Sequence, residues 1–278
     1  MSDAQPTIPA MRLMLYAAAA LVFVSGVQLF VLADRTADFF AWTIRPPLTA
    51  AFLGAAYWAA CAAELIAARQ RRWADARIAV PAVLVFTAAT LVVTLLHLDR
   101  FHLGREEPLA RGAAWAWLVV YAAVPLLLGA LLLVQLRAPG AEPQRSAPLP
   151  LWVRANLALH AALMLPLGLA LLAAPQATIG LWPWQLTPLT GRAIGAWSLG
   201  LGFAALHALM EGDWRRLRPA TPLYVLFGLL GLLALARYPA EVDWPRPSAW
   251  VLVALLLNML VGGLLGWRAV RDVRGDGH

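Results

Sequence analysis

The chain has no lysine and only one cysteine in 278 residues. Charged residues make up 13% of it, about half the usual share of a soluble domain. A single cysteine excludes a disulfide-stapled secreted scaffold. So apolar a composition excludes a disordered chain. There is no glycine-rich phosphate loop, zincin helix, paired CxxC or nucleophile elbow, which removes ATP-driven pumps and most hydrolases. What the chain does have is hydrocarbon: 62% hydrophobic residues and a mean hydropathy of +0.70. Ordinary soluble domains reach about 45–50% even with glycine counted. This is the composition of a polytopic membrane protein.

The net charge of +7 raises nucleic acid only until the charges are placed. They sit in short segments between apolar runs, so they read as topology signals, with no nucleic-acid partner. Using arginine alone for basic residues points to a GC-rich genome. Cys61 lies inside an apolar run and reads as a small buried hydrophobe.

A spanning helix needs about 20 mostly apolar residues. Eight runs qualify: 12–33, 48–68, 78–98, 113–136, 152–174, 189–210, 220–238 and 249–268. The first is too long for the apolar core of a signal peptide and is expected to be a true span. Eight spans put both termini on one side. The segments expected on that side carry 14 arginines, and the opposite side carries eight. The positive-inside rule then predicts a bacterial cytoplasmic (inner) membrane protein with both termini cytoplasmic. No soluble domain is expected.

An internal repeat organises the chain. Residues 47–86 align with 188–227 without a gap, with 13 identities in 40 positions. They include Gly54/Gly195, Trp73/Trp214, Arg77/Arg218, Pro81/Pro222 and Phe86/Phe227. Arg12/Arg154 and Gly26/Gly168 match upstream, and Trp117/Trp250 and Gly129/Gly262 match downstream. The expected fold is an all-α integral membrane protein with eight transmembrane helices as two parallel four-helix repeats. The repeats are 10–136 and 150–270, joined by a linker at 137–149. An even number of spans per half gives both halves the same orientation, an arrangement some transporters use.

Each half carries a Trp-x-aliphatic-x-Pro signature before its second helix, at Trp42 and at Trp184. The expectation is a short interfacial helix, with Trp42, Trp182 and Trp184 anchoring at headgroup depth. Proline then opens the next helix, where its missing N–H costs nothing. Thr49 and Thr190 are candidate caps. A lid over a ligand path is the alternative. The stretch from Phe39 through Trp73, and the run from Leu95 to His102, resemble multi-pass membrane proteins of GC-rich bacteria that have no assigned function. The resemblance supplies no site residue.

Polar residues inside the membrane are functional candidates. Asn156 and His160 stack one turn apart on the fifth span, and Asn258 has a similar depth on the eighth. They are expected to make interhelical hydrogen bonds or to line a ligand path. Glu64 ends a stripe with Gly54, Tyr57 and Cys61. Pairing with Arg69, Arg71 or Arg72 is expected, and a proton- or cation-coupling carboxylate is the alternative. His207 lies at a similar depth. Arg192 stands one turn inside the sixth span, where it either snorkels or meets an anionic ligand. Thr87, Thr90, Thr94 and His97 form a further stripe that suits packing or a wet path. Small-xxx-small seams at Gly191/Gly195, Ser198/Gly202 and Gly262/Gly266 fit close helix approach within the chain or between copies.

His97, Asp99, His102 and Glu106 (or Glu107) cluster at the far end of the third span. Histidine with carboxylates suits a metal ion, although the spacing matches no defined motif. The alternative is a solvated loop whose arginines pair the acids. The leading expectation is a small permease or solute-handling protein without a cofactor, whose path lies at the repeat interface. It would act on a small solute, alone, as a homo-oligomer or in a membrane complex. The competing classes are an accessory subunit packed through its glycine seams, and a metal- or quinone-linked redox protein.

Overall fold

The computed structural model describes residues 4–275, with side chains to residue 269; the side chains of Arg271 and Arg274 lie outside the described residues. Eight helices are long and apolar enough to cross a membrane. They are α1 (Pro9–Val31), α2 (Pro47–Arg69), α3 (Ala79–Leu96), α4 (Pro108–Leu136), α5 (Leu151–Ala173), α6 (Pro188–Glu211), α7 (Ala220–Arg237) and α8 (Pro247–Gly275). The last turn of α1, Val27–Val31, widens into a π-helix. Among the described residues there is no β-strand, only isolated bridges. This is the fold of an all-helical polytopic membrane protein.

The boundaries follow from local chemistry. Five of the helices, α1, α2, α4, α6 and α8, open on proline, whose fixed φ suits the first turn. Thr187 caps α6 in a reciprocal box with Thr190. Thr190 thus takes part in the cap, whereas Thr49 spends its hydroxyl elsewhere. Gly212 closes α6 in the left-handed region, at φ 64°, where glycine avoids the Cβ penalty. Short helical turns stand before α2 (Ala33–Arg35 and Thr36–Phe39) and before α6 (Pro175–Thr178 and Ile179–Leu181).

The helices pack in a pattern that crosses the chain's midpoint. α1 packs on α2 and α5 on α6; α3 packs on α4 and α7 on α8. The two sets are joined crosswise, α2 against α7 and α3 against α6. α2 is the most enclosed helix, with 78% of its apolar window buried, against 22% for α4.

The glycine seams are used within the chain. A Cβ on Gly168 would stand 2.7 Å from the Leu199 nitrogen, and one on Gly228 would stand 2.6 Å from the Leu256 carbonyl oxygen. Glycine is what lets α5 meet α6, and α7 meet α8, backbone to backbone.

The N-terminal segment and the linker are bound to one end of the bundle. Thr7 N donates to Arg71 O (2.8 Å) and Trp73 N to Gln5 O (2.9 Å). The fully buried Gln135 accepts from Ile8 N (2.9 Å) and donates to Pro6 O (2.8 Å). Asp213 accepts from the backbone of Ser146 and Ala147.

A buried ion network lies at the same end. Glu211 meets Arg77 at 2.5 Å and Arg216 at 2.5 Å, with His207 at 3.3 Å. Glu142 of the linker also reaches Arg77 (2.7 Å) and Arg216 (2.8 Å). Burial draws the Arg77 guanidinium down, but its bonds to Glu211 and Glu142 outweigh this and hold it above its ordinary value.

Candidate functional site

The small residues that let helices approach also leave space where bulky ones are missing. A chamber of about 250 Å³ lies among α1, α2, α3, α4, α6 and α7. Alanines and glycine line much of it: Ala60 and Ala63 on α2, Ala113 and Ala116 on α4, Gly200, Ala204, Ala205 and Ala208 on α6. Along α4 it extends from Ala113 to Val124, roughly 16 Å at 1.5 Å per residue.

Its wall is aromatic towards the end away from the chain termini. Trp117 stacks on Tyr121 at 4.3 Å between centroids, and Trp197 on Phe86 at 4.0 Å. Tyr57 meets Trp197 edge-on at 4.9 Å. The hydroxyls of Tyr57 and Tyr121 bond each other at 2.7 Å. Phe40 and Trp42 close this end, each in edge contact with Trp117.

Glu64 stands on the wall towards the other end, two turns beyond Tyr57 on α2. It is 2% exposed, its Oε2 has no hydrogen-bond partner, and it forms no ion pair among the described residues. The expected pairing with Arg69, Arg71 or Arg72 is not formed. Arg77 and Arg216, at the same end of the bundle, are held by Glu211 and Glu142 instead. Several other polar groups on the wall bond within the chain. Thr87 donates to Val83 O (2.8 Å), Ser25 to Leu21 O (3.1 Å) and Gln28 to Phe39 O (2.8 Å). An ionised carboxylate buried with neither donor nor cation is costly by several kcal/mol, roughly. Glu64 therefore either keeps its proton or takes a positive partner from the chamber.

The chamber has a side mouth. Leu21 and Val24 of α1 line it and are 43% and 54% exposed. Ala116 of α4 also lines it and is exposed. These residues face the surface that apolar helices present to lipid.

The expected midplane cluster does not gather in this chamber. His160 is fully buried, donates from Nδ1 to Asn156 O (2.8 Å) and lies edge-on to Tyr224 at 5.1 Å. Its Nε2 has no partner. Asn156 and Asn258 line a separate shallow groove between α5 and α8, with Asn258 exposed. His160 packs against Tyr224 and does not line the groove that the two asparagines share.

The metal candidates are likewise dispersed. Nε2 of His97 accepts from Arg192 Nη1 at 2.8 Å, while Arg192 Nε donates to Leu172 O at 3.0 Å. Arg192 thus holds protein groups and does not snorkel freely. His102 is buried, donates from Nδ1 to Phe40 O (2.9 Å) and accepts at Nε2 from Thr43 (3.0 Å). Asp99 pairs with Arg100 in the open, and Glu106 is exposed. Among the described residues no three metal-ligating side chains converge. Burial draws His97 and His102 below the ordinary histidine value; for His97 the Arg192 charge adds to it.

The three expected anchors are turned inward. Trp42 and Trp184 are each 3% exposed, and Trp182 is 9% exposed. Trp42 packs on Phe40, Phe101 and Trp117; Trp182 and Trp184 pack on Phe52. Trp184 donates its indole N–H to Thr49 Oγ1 at 2.8 Å. Aromatic partners from distant helices cover these rings, which no local pattern displays. Sequence reasoning also passed over Trp117, Tyr121 and Trp197. The available signal was the Tyr57–Glu64 spacing, which puts both on one helix face opposite alanine-rich stretches.

Comparison with known protein families, curated proteins and solved structures found no match. The site is therefore read from its geometry alone.

Proposed function

We propose that the chain is a small permease or solute-handling protein of a bacterial inner membrane, both termini cytoplasmic, and that the chamber is its solute site. The observation that carries this is Glu64, buried on the chamber wall with no hydrogen-bond partner at Oε2 and no ion pair among the described residues. An accessory subunit gains nothing from such a void. Filling it would add dispersion contacts, and removing the acid would relieve a desolvation cost.

The duplicated architecture belongs to this reading. The exchange of partners, α2 with α7 and α3 with α6, is what a two-fold axis along the membrane normal would produce from two parallel repeats. The repeats have diverged at the site. The alignment sets Ala18 against His160 and Glu64 against Ala205, so the second half fills with an imidazole the place the first half leaves open. The short turns before α2 and α6 are read as interfacial, with their tryptophans facing inward.

Thiol access in proteoliposomes tests the reading. In a Cys61→Ala background, Ala63→Cys and Ala204→Cys place thiols on the chamber wall. Ala55→Cys and Ala196→Cys place them in closed packing, where the native residues are fully buried. A permease entered from the bilayer admits a small lipid-soluble, uncharged maleimide to the chamber positions and leaves the packed positions unlabelled. Chamber positions as silent as the packed ones would overturn the proposal.

A further inference from the structure

We propose that the chamber binds an amphiphilic organic cation, with Glu64 as its counter-charge and the aromatic wall as its cage, entering from the bilayer between α1 and α4. This rests on the reading of the chamber as a solute site and names its ligand class.

Three features converge on that chemistry. Glu64 is an acid with an unmet need for positive charge. Arg77 and Arg216, at the same end of the bundle, are consumed by Glu211 and Glu142. An anion is disfavoured beside an acid. A hard metal cation is disfavoured because it takes six or more oxygen ligands. The wall offers one carboxyl group; its other side-chain oxygens are neutral, with the Tyr57 and Tyr121 hydroxyls bonded to each other, those of Ser25 and Thr87 bonded to their own helices, and only the Tyr224 hydroxyl and the Gln28 amide besides.

The second feature is the wall itself. The rings of Tyr57, Phe86, Trp117, Tyr121 and Trp197 line the space towards the opposite end. Aromatic faces attract organic cations, most strongly where water is excluded, and enclose alkylammonium groups in particular. The rest of the wall is aliphatic and suits a hydrocarbon body. The third feature is the mouth. Leu21, Val24 and Ala116 open it sideways, among residues that face lipid. A ligand that partitions into the bilayer reaches the site without crossing the polar ends of the bundle.

Two probes of nearly equal shape isolate the charge: benzyltrimethylammonium, and its neutral carbon isostere neopentylbenzene. Binding of each to the purified full chain in mild detergent is measured by calorimetry and by tryptophan fluorescence. The cation is expected to bind more tightly than the isostere. Glu64→Gln is expected to weaken the cation by at least about tenfold and leave the isostere unchanged. Glu64→Asp keeps the charge and is expected to hold cation affinity to within a few-fold, with an unaltered melting profile confirming the fold. Equal affinity for the two probes, or a cation affinity indifferent to Glu64→Gln, would overturn the inference. Binding of the isostere alone sinks the cation assignment and leaves the chamber standing as a solute site. Binding of neither probe, together with silent thiols at positions 63 and 204, sinks both.

Discussion

Arg192 on α6 donates a 2.8 Å hydrogen bond to Nε2 of His97, which follows α3, across 95 residues of chain. Because a guanidinium can only donate, this bond requires His97 to be neutral. His102 donates from Nδ1 to Phe40 O, and burial disfavours its charged form.

A pH dependence of stability follows. Both histidines are held below their ordinary value, so below about pH 6.5 the unfolded chain binds more protons than the folded one. Stability is then lost as pH falls from about 6.5 towards the lowered folded values. Thermal melts in detergent should show the midpoint falling over that range, and the His97→Gln/His102→Gln double variant should flatten the slope. A slope unchanged in the double variant would assign the acid sensitivity to other groups.

Glu211 ties α6 to Arg77, Arg216 and, through them, to the linker acid Glu142. Glu211→Ala leaves two largely buried guanidiniums short of their main partner. The expected cost is about 3 kcal/mol, read as a lower melting point. A double Glu211→Leu/Arg216→Met variant, which removes charge from both sides, should lose less than Glu211→Ala alone.

The inward tryptophans separate packing from anchoring. Trp42→Ala empties a site enclosed by Phe40, Phe101 and Trp117 and should cost about 3–5 kcal/mol. Trp250, 60% exposed, should cost about 0.5 kcal/mol when replaced by alanine. If the two cost the same, Trp42 is not the core residue described.

Gly168→Ala or Gly228→Ala places a methyl group against backbone. Overpacking of this kind costs about 1–3 kcal/mol. Because both glycines face other helices of the same chain, size-exclusion chromatography with light scattering should show an unchanged oligomeric state. A change would move the seam to an interface between copies.

The helices were legible because their determinants are local. Apolar run length and an opening proline place α2 and α6 to within a residue at their first turns. The site was legible only in part, because its determinants are relations between distant residues. Glu64 lies five residues before Arg69 and looks paired in sequence. In the fold it meets no arginine among the described residues, and Arg77 and Arg216 at the same end of the bundle are engaged by Glu142 and Glu211. Trp42, Trp182 and Trp184 read as interfacial because an aromatic next to proline has the same local pattern whether lipid or protein covers it. His97 reads as a partner of Asp99 and His102 until α6 brings Arg192 to it.

The proposed site requires Glu64 to be isolated and reachable from the bilayer. The most direct test is carboxyl modification mapped by mass spectrometry on protein in native-like membranes. A lipophilic carbodiimide reacts with a protonated carboxyl group within reach of the apolar phase, and a water-soluble one reaches exposed acids. The lipophilic reagent is expected to modify Glu64 and spare Glu211, and the water-soluble reagent to leave Glu64 untouched while modifying exposed acids such as Glu106. A Glu64 that resists the lipophilic reagent, or reacts with the water-soluble one as readily as Glu106 does, would contradict the proposed site.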